Sequence, residues 1–215
     1  MRLLVLGATG GVGRWFIRLA VGRRHEVTAL VRPAATFDAP SGVVVRTGDA
    51  TDAATLESAV AGQDAVVSCL GLRRGGRFPW ARLHSPADLM ARVTGMLTEA
   101  MQRQGVRRVV AISAAGVGDS AVRLTWPMRL LVSTGNVRVA YRDLAEMERV
   151  LEATDLDWLV VRPVTLTNGE PRRAAWPVTR YGLFSVVRRS EVAQWMLIAV
   201  EQPGPFHERR VMLGR

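Results

Sequence analysis

The first 32 residues, MRLLVLGATGGVGRWFIRLAVGRRHEVTALVR, constrain the fold more than any other stretch. Residues 3–6 are an unbroken apolar run, as in a strand buried on both faces of a parallel sheet. Gly7, Gly10 and Gly13 follow at three-residue intervals. Val12, Trp15, Phe16, Leu19 and Ala20 then recur with the spacing of one helix face. A second apolar run, residues 27–31, ends at Arg32. Strand, glycine turn, helix and strand in this order predict the opening unit of a doubly wound parallel α/β sheet, a Rossmann fold.

Such a turn suits a pyrophosphate. The first glycine allows the tight turn, the second a close backbone approach, and the third close helix–strand packing. The helix N-terminus adds unpaired amides and about half a positive charge. The candidate cofactor-binding residues here are Gly7, Thr9, Gly10, Gly11, Val12 and Gly13. The spacing is G-x-x-G-x-x-G, not the commoner G-x-G-x-x-G, and the flanking strands make it specific. At the end of the second strand an acid would bind the ribose 2′-hydroxyl of NAD, whereas an arginine accommodates a 2′-phosphate. Arg32 therefore predicts NADP(H) over NAD(H), with NAD(H) still possible.

The 215 residues suffice for one α/β domain with a sizeable core, and one domain over residues 1–215 is expected. The net charge of +10 invites a nucleic-acid reading, but all 29 basic residues are arginine and they are scattered. No nucleic-acid-binding motif accompanies them, so no specific nucleic-acid partner is expected. The charge favours anionic substrates instead. A single cysteine, Cys69, within an apolar run, excludes an internal disulfide and reads as a buried structural thiol. No apolar run approaches the ~20 residues of a membrane span, and the N-terminus enters a strand directly. A cytoplasmic monomer or homodimer, without membrane partner or metal site, is the expectation.

Along the chain, residues 42–46 read as a third strand. Asp49 follows, poised either to accept from an adenine amino group or to cap its turn. Ala50 lies beside it, and Thr51 or Asp52 caps the next helix. Residues 65–70 are a fourth strand ending at Leu70-Gly71. Residues 72–84, with Phe78, Pro79 and Trp80, read as a lid or an ordinary loop. Ser85-Pro86 is expected to open a helix that ends at Gly105. A fifth strand, 106–112, ends at Ser113. Residues 116–135 read as irregular, with Trp126, Pro127 and Met128 as packing anchors, before a helix over 136–154. The sixth strand, 157–161, ends at Arg162-Pro163. Residues 163–189, with Trp176, Tyr181 and Phe184, read as a substrate-facing subregion lacking periodicity. Ser190-Glu191 opens a last helix, and 208–213 is a last strand. Ligands bind outside the carboxyl ends of such strands, where Gly7, Arg32, Gly71 and Ser113 converge.

GATGGVG at 7–13, Val31-Arg32, GDATD at 48–52, Cys69-Leu70-Gly71, ISAA at 112–115 and Val161-Arg162-Pro163 together resemble the atypical NAD(P)-binding branch of the short-chain dehydrogenase/reductase superfamily. The likeness is to its biliverdin-IXβ/flavin reductase and NmrA-like members. The resemblance implies that residues 9–12 cradle the pyrophosphate, Arg32 meets the 2′-phosphate, and Asp49-Ala50 meets the adenine. It further implies that Leu70-Gly71 lines the ribose, Ser113 lies beside the nicotinamide, and the Arg162-Pro163 turn steers the chain past the ring.

One departure bears on chemistry. Familiar members pair a tyrosine with a lysine four residues on, which lowers the phenol pKa for proton transfer. Here Tyr141 is followed at that position by Ala145, and the chain contains no lysine. Ser113 and Tyr141 are the candidate catalytic residues. The pattern weakens alcohol–ketone chemistry and leaves hydride transfer to a planar flavin, quinone or tetrapyrrole acceptor as the leading reading. A noncatalytic NADP(H)-sensing regulator of the NmrA-like kind is the alternative. A sugar isomerase or epimerase fits less well, because those relatives also use the tyrosine and lysine.

Overall fold

Apolar runs alternate with amphipathic helices along the chain, and each run becomes a strand of one sheet. The computed structural model describes residues 1–72, 75–76 and 81–214. Residues 73–74 and 77–80, with Phe78, Pro79 and Trp80 of the suggested lid over 72–84, lie outside the described residues. The elements are β1 (Arg2–Leu6), α1 (Gly11–Gly22), β2 (Glu26–Val31), β3 (Val43–Thr47), α2 (Ala53–Val60), β4 (Ala65–Ser68), α3 (Leu89–Arg103) and β5 (Arg108–Ile112). After a 3₁₀ turn, Gly118–Arg123, come α4 (Trp126–Ser133), α5 (Gly135–Glu152), β6 (Asp157–Pro163), β7 (Thr165–Thr167), β8 (Trp176–Pro177), β9 (Val186–Arg188), α6 (Arg189–Glu201) and β10 (Arg210–Gly214).

The sheet runs β3-β2-β1-β4-β5-β6-β10-β8. Every pairing is parallel except β10 with β8. Alternate side chains of the central strands are buried on opposite faces. Leu3, Val5, Val27 and Val67 pack with α1 and α6, whereas Leu4, Leu6 and Val66 pack with α2, α3 and α5. Phe16 and Ile17 carry the inner stripe of α1 and are fully buried, each stabilising by roughly 1.5–3 kcal/mol. The chain winds outward one way through β1, β2 and β3, then returns to place β4 on the other side of β1. That reversal opens a crevice at the carboxyl edge between β1 and β4.

Several expectations are corrected. The helix after Pro86 begins only at Leu89, because Asp143 of α5 accepts from the Met90 and Ala91 amides at 2.9 Å each and fixes the first turn there. Of the two expected candidates, Asp52 is the one that caps α2, accepting from the Thr55 amide at 3.0 Å. Residues 116–135 are not irregular: they hold the 3₁₀ turn and α4, with only Met128 of α4 buried. Trp126 is no packing anchor, being 78% exposed. Residues 163–189 contain the parallel pair β7–β9 and the strand β8, all too short to show a period. Of the three aromatics there, Tyr181 is buried, Trp176 is half-exposed and Phe184 is 95% exposed. The last helix opens at Arg189 rather than Ser190, with the buried Glu191 accepting from the Arg188 amide at 3.0 Å.

Candidate functional site

The glycine turn is built by contacts that exclude side chains. Gly7 has φ +73°, and a Cβ there would lie 2.4 Å from the Cys69 carbonyl oxygen at the end of β4. A Cβ on Gly13 would lie 2.3 Å from the Gly7 carbonyl oxygen, so helix α1 could not close on β1. The Gly10 amide donates to the Gly7 carbonyl at 3.0 Å and closes the turn. Gly10 is the N-cap of α1, which has no side-chain cap and no acid in its first turn. Those first-turn amides and the helix dipole suit an anion. Arg14 folds back from α1 to donate to the Thr9 carbonyl at 3.0 Å and lies over the Phe37 ring. Gly11 is roofed by α6: a Cβ there would meet Cδ of Arg189 at 2.4 Å, while that guanidinium donates to Asn168 Oδ1 at 2.7 Å.

A cleft of about 710 Å³ opens from this turn along the carboxyl edge. Gly7, Thr9, Gly10, Arg32, Asp49 and Ala50 line it, with Leu70 and Gly71 on the β4 side. His84, Pro86 and Arg92 close the α3 side. Gly11, Val12, Gly13, Ser113, Tyr141 and Pro163 do not line it: Val12 and Gly13 are buried under the turn. Asp49 accepts from the Thr51 amide and hydroxyl at 2.9 Å each, so its contacts are those of a turn cap on the cleft wall. These bonds, aided by the charges of Arg32 and Arg92, hold its carboxyl below the usual carboxylate range. Burial pushes the Cys69 thiol up to about 12, as a structural thiol requires.

At the ends of β5 and β6 the edge is closed by bonds of its own. The Ser113 amide donates to the Val161 carbonyl at 2.7 Å and the Ala115 amide to the Pro163 carbonyl at 3.0 Å. The Ser113 hydroxyl donates to Glu148 Oε1 at 2.7 Å. Glu148, 3% exposed, also accepts from Arg162 Nε at 3.0 Å and Arg210 Nε at 3.1 Å, and pairs with Arg162 Nη2. Arg162 is equally buried and reaches Asp119 Oδ1 at 2.7 Å. Partial burial opposes ionisation of Asp119, but the Arg162 bond and charge outweigh it and hold this carboxyl low. The Tyr141 hydroxyl donates to the Ala115 carbonyl at 2.9 Å, and the residue four positions on is Ala145.

Sequence reasoning missed Arg92 and Glu148, and it named Arg162 only as part of the turn with Pro163. Arg92 faces the cleft from a helix where it reads as an ordinary surface arginine. Glu148 and Arg162 are 14 residues apart and meet only because α5 packs on β6; a glutamate seven residues after Tyr141, on the same helix face, was the available signal. A more open groove of about 580 Å³ at the amino edge, lined by Arg107, Arg108 and Asp157, lies away from all these residues. Arg108 and Asp157 pair there at 2.8 Å, so the groove presents matched charges. Among the described residues no cluster has the composition to hold a metal ion, and no described helix is long and apolar enough to cross a membrane.

Known proteins place this geometry. A reductase of Streptomyces sp, 3-diazoavenalumate denitrifying reductase, is 35% identical over 173 residues, covering 77% of this chain and 56% of that protein. The chain thus spans just over half the length of that relative. The anaerobilin reductase ChuY of Escherichia coli O157:H7 superposes with a TM-score of 0.78 at 24% identity, over 99% of this chain and 96% of that one. A short-chain dehydrogenase/reductase of Veillonella parvula, solved in complex with NADP, superposes with a TM-score of 0.78 at 17% identity, over 100% and 94%. These two likenesses show the doubly wound fold. The profile of the NAD(P)H-binding family matches residues 7–203, and the chain belongs to that family.

Proposed function

We propose that the protein is an NADPH-dependent reductase that delivers a hydride to a planar, anionic acceptor of the flavin, quinone or tetrapyrrole type. The observation that carries this reading is the uncapped glycine turn opening onto a cleft with Arg32 and Arg92 on its walls. The turn suits the pyrophosphate, with Thr9 and Gly10 beside it and Gly11, Val12 and Gly13 shaping it from below. Arg32 meets the 2′-phosphate by a charge-assisted bond that an acid could not make. Asp49-Ala50 borders the adenine, and Leu70-Gly71 the ribose. When bound, the nicotinamide supplies the hydride.

Ser113 and Pro163 stand at the other end of the edge. Because the Ser113 hydroxyl donates to Glu148, its lone pairs remain to accept from a carboxamide or a substrate N–H. No side chain of this chain is asked to move a proton through a lysine-activated phenol; water can protonate a planar acceptor after hydride arrival. The excess positive charge supports an anionic acceptor, and the relative named as a reductase supports the reaction class.

The test is absorbance at the nicotinamide band with NADPH and free flavin, quinone or tetrapyrrole. Turnover with at least one class is expected, and Ser113→Ala should lower it about tenfold or more while leaving NADPH affinity within about twofold. NADPH binding without turnover on any acceptor would favour the second reading, a noncatalytic NADP(H)-responsive regulator. That reading draws on the engagement of Tyr141 with a backbone carbonyl and the missing lysine.

A further inference from the structure

An apolar patch stands on the carboxyl edge, left exposed by the described residues. Trp126 is 78% exposed, Val122 79% and Leu130 59%. Trp126 and Leu130 are one turn apart on α4, on the face opposite the buried Met128. Beside them lies the turn of residues 182–185, whose tip residues Leu183 and Phe184 are 52% and 95% exposed. The two segments are tied together: the Tyr181 amide donates to the Arg123 carbonyl at 3.1 Å and the Thr125 amide to the Tyr181 carbonyl at 3.0 Å. These five side chains project from two neighbouring segments, residues 122–130 and the 182–185 turn, and grouped exposed apolar side chains mark an interaction site.

The charge around them is mainly positive, the one acid of the 3₁₀ turn, Asp119, being paired with Arg162 at 2.7 Å. Arg123, Arg129 and Arg180 are exposed within the same two segments. Between Ser120 and Arg142 the chain has four arginines and no acid, and between residues 171 and 190 it has five arginines and no acid. Protruding Trp, Phe and Leu side chains ringed by arginine match the interface of an anionic bilayer, where apolar tips enter the headgroup boundary and guanidinium groups meet phosphates. We propose that this face docks the protein peripherally on an anionic phospholipid surface. The expectation of no membrane partner came from the lack of a spanning run, and peripheral docking needs none. The proposal goes beyond the reductase reading and does not depend on turnover.

Co-sedimentation with vesicles tests it. The full chain should pellet with phosphatidylcholine vesicles containing roughly 30% phosphatidylglycerol and stay in solution with phosphatidylcholine alone. Raising the salt to about 0.5 M should weaken binding at least about tenfold. A Trp126→Ser/Phe184→Ser variant and an Arg123→Gln/Arg129→Gln/Arg180→Gln variant should each lose about tenfold or more in vesicle affinity. Both should retain the unmodified protein's NADPH affinity and melting temperature, which separates docking from folding and from the cleft. No pelleting with anionic vesicles, or equal pelleting with neutral ones, would overturn the proposal. So would sedimentation velocity showing, without lipid binding, a self-association that Trp126→Ser/Phe184→Ser abolishes, because a second copy would then cover the patch.

Discussion

The two ends of the carboxyl edge are made differently. At the β1–β2 end, the glycine turn, Arg32 and Asp49 face an open cleft with main-chain amides and exposed charges. At the β5–β6 end, Ser113, Glu148 and Arg162 spend their hydrogen bonds on one another out of water, and the exposed Asp119 pairs with Arg162 from outside. The first end is poised to bind; the second is held rigid. Stability and cofactor affinity should therefore separate when each end is changed in turn.

The largest effect belongs to the closed end. Glu148→Ala leaves the buried Arg162 with the exposed Asp119 as its one acidic partner among the described residues, so unfolding in urea should show a loss of about 3–5 kcal/mol. At a temperature where the variant stays folded, its NADPH affinity should change little. Next comes Gly13→Ala, whose Cβ would press on the backbone of Gly7. It should cost about 2–3 kcal/mol and weaken NADPH as well, since the turn itself must shift. Arg32→Ala should do the reverse of Glu148→Ala: stability within about 0.5 kcal/mol of the parent, but a rise in the NADPH dissociation constant of about tenfold, or about 1.4 kcal/mol. NADH should bind this variant as before. A large stability loss from Arg32→Ala, or a large affinity loss from Glu148→Ala with the fold intact, would break the separation.

The smallest effect is acid sensitivity at the open end. The Asp49 carboxyl is held low chiefly by its bonds to Thr51. Its folded-state pKa lies below the unfolded one, so its contribution is complete above about pH 4 and disappears as pH falls through the folded value. Asp49→Asn should flatten the acid limb of a stability–pH profile by less than about 1 kcal/mol, because the group is exposed.

The open end was legible in the sequence because its information is local. Gly7, Gly10, Gly13 and Arg32 sit within 32 residues, and their spacing follows from one turn and one helix. The parallel sheet was legible for a similar reason: the central runs of β1, β4 and β5 are apolar and alternate with helices. The closed end was not. Ser113 and Glu148 are 35 residues apart, and their bond exists only once α5 lies on β5 and β6. The late start of α3 was hidden likewise, since Asp143, 53 residues beyond Met90, sets it. Trp126 misled because an aromatic beside a proline reads as core, while the fold leaves it in solvent. In each case a short-range pattern was overridden by a partner distant in the chain.

Calorimetric titration of the unmodified protein with NADPH and with NADH tests the account most directly. It predicts saturable heat with both dinucleotides and a dissociation constant at least about tenfold lower for NADPH. Equal affinities, or no heat with either at millimolar concentration, would contradict it.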